Sequence, residues 1–381
     1  MKILIATDWY MPVVNGVVTS VRNLKSELKA KGHDVRILTL RQSSHQEIED
    51  TYYIDSVGIG KLYPNARLAK SLGKHVIDEI IQWGPDIVHT QAEFNTYAFA
   101  RKIRKKLNIP LVHTYHTVYE DYLHYMLGLK PLNKKFVVKF SRSVLNRTDH
   151  IIVPTNKVRR LLETYQVSKD ISVIPSGVVM PSDERYDPEC LRSKYNINPD
   201  DKVLLYLGRL AEEKNVEELI KFFKKCDLDR VKLMIAGDGP YKYKLEEYVA
   251  DLGIKDQVIF TGMIPSNQVW RYYDLAHVFL SASTSETQGL TYIEALASGR
   301  PCICRKDSCI EDVIISYYNG FQYDDYEDFK VYLNKLLYDG DFYLDLSLNA
   351  KKHSEKYSSA VFGSAVETLY SQVIKEYDQI R

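Results

Sequence analysis

The stretch Ser283-Thr284-Ser285-Glu286-Thr287-Gln288-Gly289-Leu290-Thr291-Tyr292-Ile293-Glu294-Ala295-Leu296-Ala297-Ser298-Gly299 decides how this chain is read. It follows an apolar run, His277 to Ser281, that predicts a buried strand. A small polar loop comes next, then a helix opening near Gly289 with Ile293, Leu296 and Ala297 on its packed face. The first amides of a helix lack intrahelical partners and carry the positive end of its dipole, so they hold phosphate well. Glycine at 289 lets a ligand approach the backbone closely. Glu286 stands in the loop, and Glu294 lies about a turn and a half inside the helix. Carboxylates on either side of an anion site suit two sets of sugar hydroxyls flanking a diphosphate, which is the shape of a nucleotide sugar. Two glutamates at this spacing most often mark a surface helix; the preceding strand, the glycine and the small neighbours shift the balance.

The run E-T-Q-G-L-T-Y-I-E-A-L-A-S-G resembles the E-x7-E element of family 4 retaining glycosyltransferases, which have the GT-B fold. The resemblance implies that Glu286 binds hydroxyls of the transferred sugar and Glu294 the ribose. The amides around Gln288, Gly289 and Leu290 would then face the diphosphate.

A chain of 381 residues is long for one core and suits two domains. Its 45% hydrophobic content and mixed charge read as globular. No apolar run approaches the roughly 20 residues of a membrane span. The start, MKILIAT, reads as a short strand and not as a signal peptide. The five cysteines show no disulfide framework, and C-x-C-x4-C at Cys302, Cys304 and Cys309 reads as buried thiols before zinc. Together these features point to the cytoplasm. Net charge is +1, yet Arg101 to Arg147 carries eleven Lys/Arg against two Asp/Glu.

Taken in order, Lys2 to Thr7 reads as a strand, and Asn15-Gly16 leads into a helix through about Lys31, closed by Gly32. Val35 to Leu40 completes a right-handed parallel unit. Strands follow at Tyr52 to Ile54, Asp86 to Thr90, Leu111 to Thr114, His150 to Val153 and Ile171 to Ile174. A connection from Pro175 to about Pro199 leads to a second alternating series. Its strands are Lys202 to Leu207, Lys232 to Ala236, Val258 to Phe260, Val278 to Ser281 and Pro301 to Cys304. Helices at Asn215 to Lys225, Tyr241 to Asp251, about Tyr326 to Leu337 and Ser358 to Tyr377 complete it. Two such halves predict an α/β fold of two doubly wound Rossmann-like domains facing a central cleft, with the ligand at the strand ends. The domains run 1–177 for the acceptor, joined by about 358–381, and 178–357 for the nucleotide sugar. The resemblance implies GT-B, in which the last helix crosses back onto the first domain.

Other motifs extend the resemblance. The dinucleotide fingerprint G-x-G-x-x-G is missing after the first strand, which argues against a dehydrogenase. A family glycine at that place lies near the donor diphosphate or sugar, and Gly16 takes its position. Gly208-Arg209-Leu210-Ala211-Glu212-Glu213-Lys214-Asn215 puts two cations at a strand end, where a guanidinium fork and an ammonium suit a departing diphosphate. It resembles the family signature G-R-L-x-x-E-K-N, which gives Arg209 and Lys214 the leaving-group role and makes Glu213 a support for the pair. Gly237-Asp238-Gly239-Pro240 resembles a mostly structural family element, and Phe260-Thr261-Gly262-Met263-Ile264 the segment near the nucleotide base. Lys306 to Asp312 departs from the glycine-rich stretch of many relatives.

In His113-Thr114-Tyr115-His116-Thr117 a strand-end histidine is as readily a satisfied polar residue as a ligand. The resemblance implies that His116 reaches the donor sugar, orienting it more than acting as a base. Glu120, Asp121 and His124 follow closely and leave a metal open, although the spacing matches no common ligand set. The Asp-x-Asp pairs Asp227/Asp229 and Asp339/Asp341 read as turns. The expectation is a metal-independent enzyme with no cofactor beyond its sugar nucleotide.

His89-Thr90-Gln91-Ala92-Glu93-Phe94 and the segment from His113 to Tyr125 resemble bacterial 1,2-diacylglycerol 3-alpha-glucosyltransferases more than generic family members. That resemblance implies transfer of a hexose, glucose from UDP-glucose, onto diacylglycerol. Alternatives are a glycolipid, polyprenyl, cell-wall polymer or protein acceptor, or a non-catalytic binder of sugar nucleotides. Glu93 and His113 belong to the acceptor side. The segment Lys130 to Arg147 interleaves Phe136, Val137, Val138, Phe140, Val144 and Leu145 with Lys134, Lys135, Lys139 and Arg142, which suits an interfacial helix on anionic lipid as well as a solvated face. No nucleic-acid motif accompanies the charge. The expected place is the cytoplasm, peripheral on the inner face of the cell membrane.

Overall fold

A computed structural model describes residues 1–42, 47–59, 66–71, 73–118, 120, 134–182 and 187–380. They fall into two compact units, Met1–Val178 with Ser359–Arg381, and Val179–Ser358. The first holds β1 (Lys2–Thr7), α1 (Gly16–Ala30), β2 (Asp34–Leu40), β3 (Thr51–Ile54), β4 (Ser56–Gly58), β5 (Arg67–Ala69), α2 (Lys74–Trp83), β6 (Ile87–Thr90), α3 (Asn95–Leu107), β7 (Leu111–Thr114), α4 (Lys134–Leu145), β8 (His150–Val153), α5 (Asn156–Thr164) and β9 (Ile171–Val173). The second holds α6 (Glu189–Lys194), β10 (Lys202–Leu207), α7 (Val216–Cys226), β11 (Val231–Ala236), α8 (Lys242–Asp251), β12 (Val258–Gly262), α9 (Val269–Leu275), β13 (Val278–Ser281), α10 (Leu290–Ala297), β14 (Cys302–Arg305), β15 (Gly320–Tyr323), α11 (Tyr326–Tyr338) and α12 (Gly340–Ser354). The last helix, α13 (Ser359–Ile380), returns to the first unit.

Strands such as β6, β7, β8 and β13 are buried along their whole length, because helices cover both faces of a parallel sheet. The first sheet runs β3-β2-β1-β6-β7-β8-β9 and the second β12-β11-β10-β13-β14-β15. In each the strand order reverses beside the first strand, between β1 and β6 and between β10 and β13. Loops leaving adjacent strands at such a reversal diverge to opposite faces and open a crevice at the carboxyl ends.

The structure adds to the element list: α6 lies within the stretch read as a connection, and α9 precedes β13. The antiparallel pair β4/β5 lacks a long apolar run and escapes a periodicity reading. β15 adds an edge strand beyond β14. α12 occupies a stretch read as connection: Asp339, taken as a turn residue, caps that helix by accepting from the Phe342 amide at 3.1 Å, and Asp341 sits in its first turn. Asp227 does stand at a helix end, in a left-handed conformation with φ 47°.

α13 packs Phe362, Val366, Leu369, Tyr370 and Val373 into the core that also contains Val21, Leu24 and Leu28 of α1. Glu367 pairs with His33 at 2.8 Å and Lys31 at 3.0 Å. The buried carboxylate of Asp8, just past β1, ties that strand to the start of α3. It accepts from the Thr96 amide at 2.8 Å, the Thr96 hydroxyl at 2.6 Å, the Asn95 amide at 3.1 Å and the Asn95 side chain at 2.9 Å.

Asp8→Ala leaves those donors unpaired and is expected to cost about 1 to 3 kcal/mol, read as a lower urea midpoint for the first unit; an unchanged midpoint contradicts the tie. Burial holds the imidazoles of His89, His116 and His277 below their ordinary 6.5, so each is neutral when folded. Below about pH 6.5 the unfolded chain takes up protons that the folded chain refuses, so stability falls with pH by up to about 1.4 kcal/mol per unit per histidine. Unfolding midpoints that stay flat from about pH 7.5 to 5.5 would contradict this.

Candidate functional site

In the second unit the ends of the adjacent strands β10 and β13 each release a loop, 208–215 and 282–289. The first loop lies backbone to backbone on the turn after β11. Leu210 N–H donates to the Asp238 carbonyl at 2.9 Å, and Tyr241 N–H to the Leu210 carbonyl at 3.0 Å. A side chain at Gly237, whose φ is +137°, would place its Cβ 1.9 Å from the Gly208 carbonyl oxygen. The Gly-Asp-Gly-Pro turn is thus the platform for the segment that carries Arg209. Buried Tyr206 donates to the Arg209 carbonyl at 3.0 Å, and burial followed by the nearby Glu286 and Glu213 raises its pKa, keeping that proton in place.

Each cation of this loop meets a carboxylate. The exposed guanidinium of Arg209 pairs with Glu213, whose side chain is largely buried. Lys214 Nζ donates to Glu286 Oε1 at 2.6 Å, with both side chains mostly shielded from water. Ser285 Oγ, beside Glu286, donates to the Glu213 carbonyl at 3.3 Å. The two loops therefore bring Arg209, Glu213, Lys214 and Glu286 together.

α10 opens directly after this cluster with Gly289 as its cap, at φ +76°. A Cβ there would lie 2.4 Å from the Tyr292 ring, so the position admits glycine on two counts. Gln288 is buried and Leu290 partly exposed. Inside the helix, Glu294 accepts from Tyr273 Oη at 2.9 Å, and that buried phenol is raised in pKa by burial and by Glu294 itself. Met263 stands 63% exposed just after β12. The departing segment after β14 is anchored nearby: Arg305 Nη1 donates to both oxygens of Glu218 at 2.8 and 2.9 Å, and Tyr323 Oη to the same carboxylate at 2.9 Å.

In the first unit Gly16 is exposed at the start of α1, whose cap Asn15 accepts from the Val18 amide at 2.8 Å. The ends of β6 and β7 carry a dense polar cluster. His113 Nδ1 lies 2.8 Å from Thr90 Oγ1, and its Nε2 lies 3.4 Å from Glu93 Oε1. Both side chains are almost wholly buried, at 0% and 4% exposure, so they face each other and not the surface. His116 is half-buried, with Nε2 2.6 Å from Gln91 Oε1. Its pKa is lowered to about 3 by burial and then by His113.

α4 buries Val137, Val144 and Leu145 in the core. That corrects the sequence reading: most of the apolar stripe faces inward, not toward lipid. Its outer face shows Phe136, 56% exposed, with Lys134, Lys135 and Lys139. Exposed Phe94 stacks on Phe140 at 5.6 Å. Arg142 turns aside to the Gln166 carbonyl at 3.2 Å. Asp121 and His124 lie outside the described residues. Glu120 is held by Tyr165 at 2.7 Å and Lys134 at 2.8 Å. Among the described residues no three His, Cys, Asp or Glu side chains gather as a metal site, and no helix is long and apolar enough to cross a membrane.

Sequence reasoning missed Tyr206, Tyr273, Gln91 and the Glu218–Arg305–Tyr323 cluster. Their neighbours along the chain give no hint of these contacts, which the fold alone creates. The paired glycines of the turn after β11 were the one available sign that a backbone presses there.

The chain matches two family models, "Glycosyltransferase Family 4" over residues 14–180 and "Glycosyl transferases group 1" over residues 187–353. It is 37% identical to the alpha-monoglucosyldiacylglycerol synthase of Streptococcus pneumoniae, over 98% of this chain and 86% of that protein. It is 31% identical to the enzyme of the same name from Acholeplasma laidlawii, over 98% of both. Among solved structures, sucrose-phosphate synthase from Thermosynechococcus elongatus superposes with a TM-score of 0.77 at 19% identity, covering 99% of this chain and 100% of that one. Anabaena HepE, solved with UDP, also gives 0.77, at 17% identity over 97% and 100%. With two parallel-sheet Rossmann-like units and these relatives, the chain belongs to the family 4 glycosyltransferases of GT-B fold.

Proposed function

We propose that this glycosyltransferase moves glucose from UDP-glucose onto 1,2-diacylglycerol with retention at the anomeric carbon, while resting on the cytoplasmic face of an anionic membrane. The observation that carries the donor half is the meeting of Arg209, Lys214, Glu286 and the start of α10 at the neighbouring ends of β10 and β13. The names of the two diacylglycerol glucosyltransferase relatives support the acceptor half.

The donor pyrophosphate lies against Arg209, Lys214 and the amides of Gln288, Gly289 and Leu290. Negative charge grows on the departing phosphate as the glycosidic bond breaks, and these groups stabilise it. Glu213 holds Arg209 in place before the substrate arrives. Glu286 accepts from hydroxyls of the transferred glucose, and Glu294, oriented by Tyr273, from the ribose. Gly16 gives the diphosphate or sugar room, and Met263 borders the base. His116, neutral throughout the working range, orients the sugar through a hydrogen bond and takes no proton from the acceptor. The acceptor hydroxyl loses its proton to a phosphate oxygen on the face that glucose leaves. Two fixed cations and a helix start supply the positive charge that a metal ion would otherwise bring, so the transfer needs none. Glu93 and His113 act from beneath the surface, shaping the strand ends beside the acceptor. Lys134, Lys135 and Lys139, with Phe136 among them, meet the lipid headgroups, and Arg142 backs that helix.

Arg209→Ala should lower kcat by about two to three orders of magnitude with an unchanged circular dichroism spectrum; near-normal turnover contradicts its role. Glu294→Ala removes an interaction made equally in ground and transition states, so the donor KM should rise about tenfold with kcat little changed. Chelation with EDTA should leave the rate intact, and a loss restored by added cation would contradict the metal-free reading. Replacing Lys134, Lys135 and Lys139 together by alanine should weaken binding to anionic vesicles by about two orders of magnitude, at about 1 kcal/mol per cation, and flatten its salt dependence. Unaltered vesicle binding would rule out this helix as the anchor.

A further inference from the structure

The polar cluster at the ends of β6 and β7 contains a connected line of side chains that starts on the C-terminal helix. Tyr370 of α13 is fully buried, and its hydroxyl lies 2.6 Å from His89 Nδ1. His89 Nε2 lies 2.7 Å from Thr114 Oγ1. The side-chain nitrogen of Gln91 abuts the same imidazole, 3.2 Å from Nδ1 and 3.0 Å from Nε2. The other end of that amide, Oε1, lies 2.6 Å from His116 Nε2. Gln91 is 4% exposed, so water does not compete for it.

The polarity of this line follows from chemistry. Burial raises the Tyr370 phenol well above its ordinary pKa and lowers His89 well below its own, so both are neutral. The Gln91 N–H₂ can only donate, and the nearer ring nitrogen, His89 Nε2 at 3.0 Å, accepts from it, which leaves His89 Nδ1–H to donate to the Tyr370 hydroxyl. With the amide as found, a carbonyl oxygen faces His116 Nε2, and a carbonyl only accepts. The proton of the neutral imidazole therefore sits on Nε2, and Nδ1 keeps a lone pair. Among the described residues Nδ1 receives no hydrogen bond.

We infer that Gln91 is a positioning residue: by accepting the Nε2 proton it fixes the tautomer of His116 and presents Nδ1 as a hydrogen-bond acceptor to a sugar hydroxyl. The inference rests on the donor-facing role proposed above for His116. It makes the residue selective for a ligand O–H at that point and unable to donate to a carbonyl or phosphate oxygen there.

The test uses the full-length enzyme labelled with nitrogen-15 histidine, with His116→Ala identifying the resonances. From about pH 5.5 to 8 the wild-type ring should be neutral and protonated on Nε2. In Gln91→Met that preference should be lost, with kcat down at least about tenfold, worth about 1.4 kcal/mol, and the donor KM moving less. Gln91→Glu keeps an acceptor but adds a negative charge, which raises the pKa of the imidazole. It should recover activity at alkaline pH and lose it along a new acid limb. A merely structural role would lower the rate evenly across pH. A wild-type ring protonated on Nδ1, or an unchanged tautomer in Gln91→Met, overturns the inference. Wild-type turnover by His116→Ala with the expected spectra would instead sink the transfer role on which it rests.

Discussion

The closest constraint in the second unit is the contact of one backbone with another at Gly237 and Gly208. Nothing larger than hydrogen fits at 237, because a Cβ would sit 1.9 Å from the facing carbonyl oxygen. That contact sets the height and direction of the segment carrying Arg209, and the hydrogen bonds from Leu210 and Tyr241 hold it there. Everything proposed for the leaving group depends on this loop staying still. A guanidinium stabilises developing charge only if it is aimed before the reaction begins.

A second feature of the site is electrical balance. Arg209 and Lys214 would repel each other and any approaching cation if left alone, and each has a glutamate partner. The pairs hold the side chains in place without a ligand and do not cancel their use. A pyrophosphate brings more negative charge than one carboxylate and can draw the ammonium toward itself. In the proposed reading Glu286, released from Lys214, turns its oxygens to the sugar.

Much of this was legible in the sequence, for physical reasons that differ by element. The strands at Leu111–Thr114, His150–Val153 and Val278–Ser281 are short apolar runs that both faces of a parallel sheet demand, and they stand where periodicity put them. The E-x7-E helix begins where its glycine indicated. α12 was lost because Asp339 suits both a turn and a helix cap, and only the fold decides between them. The basic helix was half legible: its charge was plain, but Val137, Val144 and Leu145 could face a core or a bilayer, and they face the core. The line from Tyr370 through His89 and Gln91 to His116 was invisible, since its members are separated by up to 281 positions along the chain.

The first unit spends its polar residues inside. Buried Asp8, His89, His113 and Glu93 meet partners at the carboxyl ends of β1, β6 and β7, a place where a packed fold would otherwise put apolar side chains. Such groups are worth their desolvation only if they hold something in register. The central claim remains the grip on the diphosphate, and a crystal structure of the enzyme with UDP tests it most directly. The account predicts phosphate oxygens within hydrogen-bond reach of Arg209, Lys214 and the first amides of α10, with the ribose on Glu294. A UDP bound away from those residues would contradict it.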